Sequence, residues 1–493
     1  MDVVAQRNGV ERRDVVIVGA GISGIGAGVH LQQQSPDRSF VILEGRSDIG
    51  GTWDLFKYPG VRSDSDMHTL GFEFKPWKSS KAIADGPAIM SYLRETVAEH
   101  DLAQHMRFGE RVVRAAWSTA NATWTVHTQR ADGSNGVFEC NYLFMCAGYY
   151  SYKAGYLPEF RGREKFAGAV VHPQHWPAEL DYANKRVVVI GSGATAVTIV
   201  PAMAQTAAHV TMLQRSPTYM VSRPDSDRLA NFMRRVLPAR VAYGLTRAKN
   251  TWRQQMVYNR TRTHPEEIKQ LLLGGVRLEL GSDYPIDKHF TPPYNPWDQR
   301  LCLVPNSDFF AAIRSGRASM VTDTIESFTE TGIMLSSGTE LAADIIITAT
   351  GLQLVTLGEA EFTVDGKEID FAQTRTYKGM SYSDVPNLAT SFGYINASWT
   401  LRADLTCTYV CRLLNHMRDT KTRQCTPRLR DDEINMPERP WIDGFSSGYM
   451  QRVMHLMPRQ GDREPWINPQ NYGKDKAMFR TGAVDDGVMQ FSR

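Results

Sequence analysis

The sequence predicts an α/β protein with two nested Rossmann-like dinucleotide-binding domains and a helical insertion. Two apolar segments, 14–18 and 186–190, each run directly into a glycine-rich turn. Two further apolar strands, 142–148 and 344–351, each end in a turn of two small residues and a glycine. Strands that alternate with helices are typical of doubly wound parallel sheets.

Length and composition narrow the class of protein. A chain of 493 residues is too long for one core, so two or three domains are expected. The formal net charge of +3 is too small to favour nucleic acid as the main partner. The six cysteines contain no CxxC pair, so they are interpreted as reduced thiols of a cytoplasmic protein without a metal site.

The apolar run from Val15 to Leu31 contains no charge, but it does not predict a membrane span. It is short for that purpose and carries five glycines. Nor does a basic segment with a small-residue cleavage site precede it, so it is not interpreted as a secretion signal.

The first glycine motif predicts a site for a dinucleotide with a free ribose. A strand over 14–18 leads into Gly19, which makes a tight turn, and Gly21, which lets the backbone approach a pyrophosphate. Gly24 lets the following helix, which runs to about Gln34, pack on the strand. Glu44 ends the next strand, 25 residues after Gly19, where a carboxylate can accept hydrogen bonds from ribose hydroxyls.

The second motif predicts a site for NADPH. A strand over 186–190 leads into Gly191-Ser-Gly193-Ala-Thr-Ala196, and the strand 209–213 follows. Arg215 lies 24 residues after Gly191, at the position equivalent to Glu44. A guanidinium there suits a 2′-phosphate, and a solvated loop cation is the alternative.

The simplest domain arrangement is nested. Residues 10–148 would form the first part of the domain for the dinucleotide with a free ribose, which beside NADPH is most often FAD. Residues 149–352 would form the NADPH domain, and 353–493 would complete the FAD domain and the C-terminal region. A helical insertion at about 224–290 lies in the NADPH domain. Its eight basic residues are interpreted as a solvated face, with a substrate cap or a membrane-surface contact as alternatives; they are Arg234, Arg235, Arg240, Arg247, Lys249, Arg253, Arg260 and Arg262.

Two nucleotide sites are typical of disulfide reductases and of flavin monooxygenases. The reductases need a redox cysteine pair soon after the first glycine motif. Here the first cysteine is Cys140. The pattern therefore favours oxygen as the electron acceptor.

Two longer motifs resemble those of the type I Baeyer–Villiger monooxygenases. Phe166, Gly168, His172, Trp176 and Pro177 match every defined position of the FxGxxxHxxxWP fingerprint. A second signature of that family is matched by residues 50–64. Within the family, 294–306 and 393–405 resemble the mycobacterial FAD monooxygenases that activate thioamide prodrugs.

The resemblance implies an activity and its catalytic residues. NADPH, FAD and O₂ would convert hydrophobic ketones to esters or lactones through a C4a-peroxyflavin, and sulfides or thiocarbonyls would also be oxidised. Arg300 would be the active-site arginine and Asp64 its partner, with Asp66 as the second choice. His172 would coordinate domain movement through hydrogen bonds, and the alternative is a structural histidine.

The resemblance also implies cofactor contacts. Those to FAD would come from Gly19, Gly21, Ser23, Gly24, Glu44, Thr52, Trp53, Asp54, Leu55 and Val112. Those to NADP would come from Arg62, Ser63, Asp64, Gly191, Ser192, Gly193, Ala194, Thr195, Ala196, Val197, Arg215 and Ser216. The chain departs from many relatives at Gln299, where lysine is frequent, and at Leu352-Gln353, where Phe-Asp is common.

The sequence leaves open more than one interpretation of the substrate, the function and the location. An apolar substrate cavity is expected near Tyr294, Trp297, Tyr394 and Trp399, but the pattern does not identify the substrate or the oligomeric state. A monooxygenase acting mainly on sulfur or nitrogen is the enzymatic alternative. A redox-sensing or scaffold flavoprotein is the non-enzymatic one. The predicted location is cytoplasmic, with peripheral membrane association as an alternative.

Overall fold

A computed structural model describes residues 10–493. Its strands are β1 Glu11–Val18, β2 Phe40–Glu44, β3 Met106–Phe108, β4 Arg111–Ser118, β5 Thr123–Gln129, β6 Asn135–Met145, β7 Tyr150–Gly155, β8 Ala169–Val171, β9 Arg186–Ile190, β10 His209–Gln214, β11 Met220–Arg223, β12 Cys302–Pro305, β13 Ala318–Thr322, β14 Ile325–Phe328, β15 Gly332–Leu335, β16 Glu340–Ala342, β17 Ile345–Thr348, β18 Leu352–Leu354, β19 Glu361–Val364, β20 Lys367–Glu368, β21 Thr376–Tyr377, β22 Ser381–Tyr382, β23 Leu388–Thr390, β24 Gln424–Pro427 and β25 Met489–Ser492. Its α-helices are α1 Ile22–Gln34, α2 Thr52–Leu55, α3 Met67–Leu70, α4 Gly86–Glu99, α5 Ala194–Met203, α6 Arg228–Val236, α7 Ala239–Thr263, α8 Pro265–Leu280, α9 Ile286–His289, α10 Asp308–Arg314, α11 Trp399–Thr420, α12 Gly448–Gln451 and α13 Tyr472–Arg480.

The larger sheet is built around β1, which is parallel to β2 on one side and to β6 on the other. Its strand order is β20-β19-β4-β5-β6-β1-β2-β3, and β23 also pairs with β6. Residues 15–18 of β1 are almost completely buried, as is typical of parallel strands covered on both faces. The strands of this sheet come from residues 11–145 and 361–390.

The second sheet has the order β13-β10-β9-β17-β8, and all of its strands are parallel. Its strands come from residues 169–348. The glycine-rich turn follows β9, which lies between β10 and β17. The carboxyl edge of such a sheet is where ligands bind in open α/β folds.

Two antiparallel strands, β7 and β18, lie in the chain segments that connect the two sheets. The chain leaves the larger sheet through β7 and returns through β18, and these two strands pair with each other. The fold class expected from the sequence is confirmed: the chain is α/β, with each glycine-rich turn between a buried parallel strand and a helix.

Helices α6 to α9 form the expected helical segment. One of its basic residues was wrongly assigned to a solvated face, because Arg247 is only 7% exposed and forms an ion pair with Asp404 on α11. Among residues 10–493 no helix is both long enough and apolar enough to cross a membrane.

Candidate active site

A cavity of about 550 Å³ is lined by the first glycine-rich turn and by the start of α5, which directly follows the second turn. The larger sheet contributes the first turn and the end of β2, and the second domain contributes the start of α5. The sequence-predicted residues that line it are Gly19, Gly21, Ser23, Glu44, Thr52, Trp53, Arg62, Ser63, Asp64, Val112, Ala194, Thr195 and Arg300. A cavity shared by two nucleotide-binding folds is where a hydride donor and its acceptor can meet.

The first glycine turn leaves space for a ligand at one position in particular. Gly19 has φ +103°, and a Cβ there would lie 2.6 Å from the Cys146 carbonyl oxygen. A Cβ on Gly24 would lie 1.8 Å from the Gly19 carbonyl oxygen. On Gly21, by contrast, the nearest protein atom would be at an ordinary 3.7 Å. The protein itself therefore does not require glycine at 21, whereas a phosphate approaching the backbone does.

Glu44 is a buried carboxylate at the edge of this cavity, only 5% exposed. One oxygen accepts a hydrogen bond from the Ala20 amide at 2.7 Å, and the other accepts from the Arg46 amide at 2.9 Å. Burial raises the pKa of Glu44, and these two hydrogen bonds act in the opposite direction. Each oxygen keeps a further lone pair, so the residue fits the ribose hydroxyls of FAD.

A Glu44→Gln variant should bind FAD more weakly, because one amide donor in the turn would face an NH₂ group. Hydrogen bonds to a charged group contribute about 1.5–3 kcal/mol, which corresponds to roughly 10- to 100-fold in affinity. Titration of the flavin-free protein with FAD measures the effect. Glu139→Gln, on β6 at the other side of β1, is the control, and equal affinities for the two variants would contradict the assignment.

The second glycine turn has the same steric pattern. Gly191 has φ +135°, and a Cβ there would lie 2.3 Å from the Ala349 carbonyl oxygen. A Cβ on Gly193 would meet no atom of residues 10–493 within 4 Å. Beside this turn, the Ser192 hydroxyl donates to the Ser216 carbonyl oxygen at 3.0 Å, and Arg215 is exposed. This open groove fits the phosphates of NADP.

Some predicted contact residues lie outside the 550 Å³ cavity. Ala196 and Val197 are buried in the core of the second domain. Asp54 forms ion pairs with Arg46 and Lys57 rather than lining the cavity. Other predicted residues outside the lining are Gly24, Leu55, His172, Gly191, Ser192, Gly193, Arg215 and Ser216.

Arg300 and Asp64 meet at the cavity wall. Their closest atoms, Nη1 and Oδ2, are 2.6 Å apart. Burial alone would lower the pKa of Arg300, but the Asp64 carboxylate and nearby tyrosines hold it well above the ordinary value. Asp66, the second choice, instead caps α3 and accepts hydrogen bonds from Asn250 and Gln254. The structure therefore brings Asp64, and not Asp66, to the arginine.

An aromatic wall adjoins this ion pair. Tyr149 stacks on Trp399 with ring centroids 5.2 Å apart and planes 7° apart. The Tyr149 and Tyr150 hydroxyls are 2.7 Å apart, and the Trp399 indole N–H donates to Ser23 Oγ at 2.8 Å. Sequence reasoning missed both tyrosines, although they directly follow the small-small-Gly turn at 148.

The expected apolar substrate cavity is divided in two. Tyr394 and Trp399 line the 550 Å³ cavity. Trp297, which has φ +69°, lines a second cavity of about 620 Å³ between β11, α7 and α8. Tyr294 lies against Tyr219. The expectation of one pocket containing all four aromatic residues is therefore wrong.

His172 lies beside the β7–β18 pair instead of in the cavity. Its Nε2 is 3.1 Å from the Gly351 carbonyl oxygen, and its Nδ1 accepts from the Gln174 amide at 3.2 Å. Burial lowers the pKa of His172. The two contacts together require the neutral ring with its proton on Nε2.

Acidification should destabilise the chain in part through His172. Because the folded-state pKa is lowered, the stabilisation is complete above about pH 6.5, the pKa of an unperturbed histidine, and is lost as pH falls from that value through the lower folded-state pKa. The fall in melting temperature from pH 7.5 to pH 5.5 should be smaller in His172→Gln than in the parent. The exposed His455→Gln variant is the control, and an unchanged fall in His172→Gln would contradict this prediction.

Comparison with known proteins agrees with the geometry. Residues 16–258 match the family described as pyridine nucleotide-disulphide oxidoreductase. The FAD-containing monooxygenase EthA of Mycobacterium tuberculosis is 52% identical, with 98% of each chain covered. The probable FAD-binding monooxygenase AlmA of Acinetobacter baylyi is 47% identical, over 97% of this chain and 96% of that protein.

Solved structures share the fold at lower identity. Oxidized steroid monooxygenase bound to NADP is 21% identical with a TM-score of 0.79, over 98% of this chain and 100% of that one. Cyclohexanone monooxygenase from Rhodococcus sp. Phi1 bound to NADP⁺ is 19% identical with a TM-score of 0.75, over 98% and 99% of the two chains.

Cysteine placement separates this chain from the disulphide reductases that share its nucleotide-binding folds. The matched residues 16–258 include only Cys140 and Cys146, both buried. For each thiol, burial raises the pKa beyond the ordinary range, so neither is suited to thiol exchange. The chain belongs to the family of FAD-containing monooxygenases, with FAD and NADP as its cofactors and the fold of the Baeyer–Villiger monooxygenases.

Proposed function

We propose that the protein uses NADPH and O₂ to convert hydrophobic ketones to esters or lactones. The observation that supports this most directly is the Arg300–Asp64 ion pair on the wall of the cavity that the first glycine turn and the start of α5 line. When bound, FAD takes electrons from NADPH and activates O₂. Binding the substrate and stabilising the negative charge that develops on it are tasks of the residues of the chain itself.

Arg300 supplies a fixed positive charge. Attack on a ketone carbonyl places negative charge on the carbonyl oxygen, and a preorganised cation in a site that excludes water stabilises that charge. The Asp64 carboxylate holds the guanidinium in position and accepts its hydrogen bond at 2.6 Å. The stacked rings of Tyr149 and Trp399 give the same cavity an aromatic wall.

The carbonyl substrate is expected to be apolar. Tyr149, Trp399 and Leu352 present aromatic and aliphatic surface to the cavity, and a wall of this kind favours an apolar substrate. Aromatic or long-chain ketones fit this lining, as do apolar sulfides and thiocarbonyls.

NADPH should be preferred to NADH because of Arg215. An Arg215→Ala variant would lose the guanidinium proposed to pair with the 2′-phosphate, a charge-assisted contact that contributes about 1.5–3 kcal/mol. The KM for NADPH in flavin reduction should therefore rise roughly 10- to 100-fold, with little change for NADH. An equal rise for the two nucleotides would contradict the assignment.

A direct test gives the purified holoprotein a matched ketone and thioether. We expect substrate-dependent NADPH oxidation and, with the ketone, an ester carrying one added oxygen atom by mass spectrometry. Sulfoxide formed in the absence of any ester would support the heteroatom alternative. NADPH-driven flavin reduction without substrate-dependent oxygen use would support a redox-sensing role.

A further inference from the structure

Helices α6, α7 and α8 expose an unusual amount of apolar surface. Of the twelve large apolar side chains that are exposed within residues 10–493, nine lie between 229 and 278. We call them the docking face: Leu229, Phe232, Val236, Val241, Leu245, Trp252, Met256, Leu271 and Leu278. Exposed apolar side chains concentrated in this way mark an interaction surface.

The spacing of these side chains gives each helix an outward apolar stripe. On α6 the positions are 229, 232 and 236, and on α7 they are 241, 245, 252 and 256. Both sets follow the helical repeat, so each lies on one side of its helix. Trp252 is 66% exposed and Leu278 90% exposed, so they do not contribute to the core.

The same helices are strongly basic. Residues 228–280 contain eleven arginines and lysines but only three glutamates, whereas the whole chain has a formal net charge of +3. Four exposed arginines lie on these two helices: Arg228 and Arg235 on α6, and Arg240 and Arg253 on α7. Apolar stripes flanked by arginines are typical of helices that lie in the interfacial layer of a membrane.

We propose that the docking face binds the surface of an anionic lipid bilayer. Its apolar side chains would enter the boundary between headgroups and acyl chains, while the arginines pair with lipid phosphates. A second copy of the chain would bind the docking face less favourably than a bilayer does. A symmetric dimer would bring two basic faces together, and these repel each other.

The second cavity opens onto this face. Its lining includes Met256, Leu271 and Leu278, which are exposed members of the docking face, and also Trp297 and Leu301. Leu301 directly follows Arg300 in the chain. An apolar compound dissolved in the bilayer would therefore meet a cavity with apolar lining, one residue of which directly follows the proposed catalytic arginine in the chain.

Vesicle flotation tests the proposal without any turnover. The FAD-loaded protein should float with phosphatidylglycerol–phosphatidylcholine vesicles, and less with phosphatidylcholine alone or at high salt. A Phe232→Glu/Trp252→Glu variant should reduce partitioning by about tenfold or more. Arg235→Glu/Arg240→Glu should abolish the preference for anionic lipid. Leu456→Glu, at a residue that is 54% exposed outside the face, should bind like the parent.

Three results would overturn the proposal. They are absence of flotation with anionic vesicles, equal loss in Leu456→Glu, or oligomers in solution that the Phe232→Glu/Trp252→Glu variant dissociates. The last result would assign the face to contact between copies. Bound FAD and NADPH-driven flavin reduction confirm that each variant is folded. Because vesicle binding needs no substrate, this result is independent of whether ketones are oxidised.

Discussion

An Arg300→Ala variant will lose ketone oxygenation by about 100- to 1,000-fold, the usual cost of removing a group that stabilises a developing oxyanion. NADPH-driven reduction of the flavin should stay within a few-fold of the parent. The reason is that Arg300 lies on the cavity wall with Asp64, away from the exposed Arg215 that is proposed to hold the 2′-phosphate. Single-turnover reduction without oxygen and ester formation in air measure the two steps separately.

Two further variants test whether the charge or the fold is responsible. Arg418→Ala removes an arginine from another ion pair, Arg418–Asp37 at 2.9 Å, and should leave both steps unchanged. Asp64→Asn keeps the shape of the partner but removes its charge, so its loss should be smaller than that of Arg300→Ala. Equal loss of reduction and oxygenation in Arg300→Ala would show that the residue only maintains the structure.

Short-range patterns predicted where the two strand–turn–helix segments of this site lie in the chain. A strand, a glycine turn and a helix are local, so Gly19 and Gly191 were assigned from a few neighbouring residues. Glu44 also followed from spacing, because β1 and β2 are adjacent parallel strands and the second one ends beside the turn of the first.

Contacts between distant segments could not be predicted in the same way. Tyr149 stacks on Trp399 only because the turn between β6 and β7 meets the start of α11 in the folded chain. Trp297 and Tyr394 were expected in one pocket because both are aromatic, yet they line different cavities. Arg247 was misassigned since its buried neighbours on α7 include the polar Thr246 and Asn250, so hydrophobic periodicity does not reveal that face.

The buried Arg247 leads to the largest stability effect that we expect. Its Nη1 donates to the carbonyl oxygens of residues 68, 69 and 71, at 2.7 Å from that of Gly71, and its Nη2 lies 3.2 Å from Asp404 Oδ2. Arg247→Met would leave the Asp404 charge buried without this partner, which costs about 3–5 kcal/mol. A fall in melting temperature of roughly 6–20 °C follows for a domain of this size.

The same helix supplies the matched control for that prediction. Arg253 is exposed on α7, so Arg253→Met should change stability by about 0.5 kcal/mol or less. Because Arg247 joins α7 to α3 and α11, hydrogen exchange in Arg247→Met should increase first in residues 228–280, before the parallel strands of either sheet. Similar melting temperatures for the two variants would mean that the insertion is held by apolar packing alone.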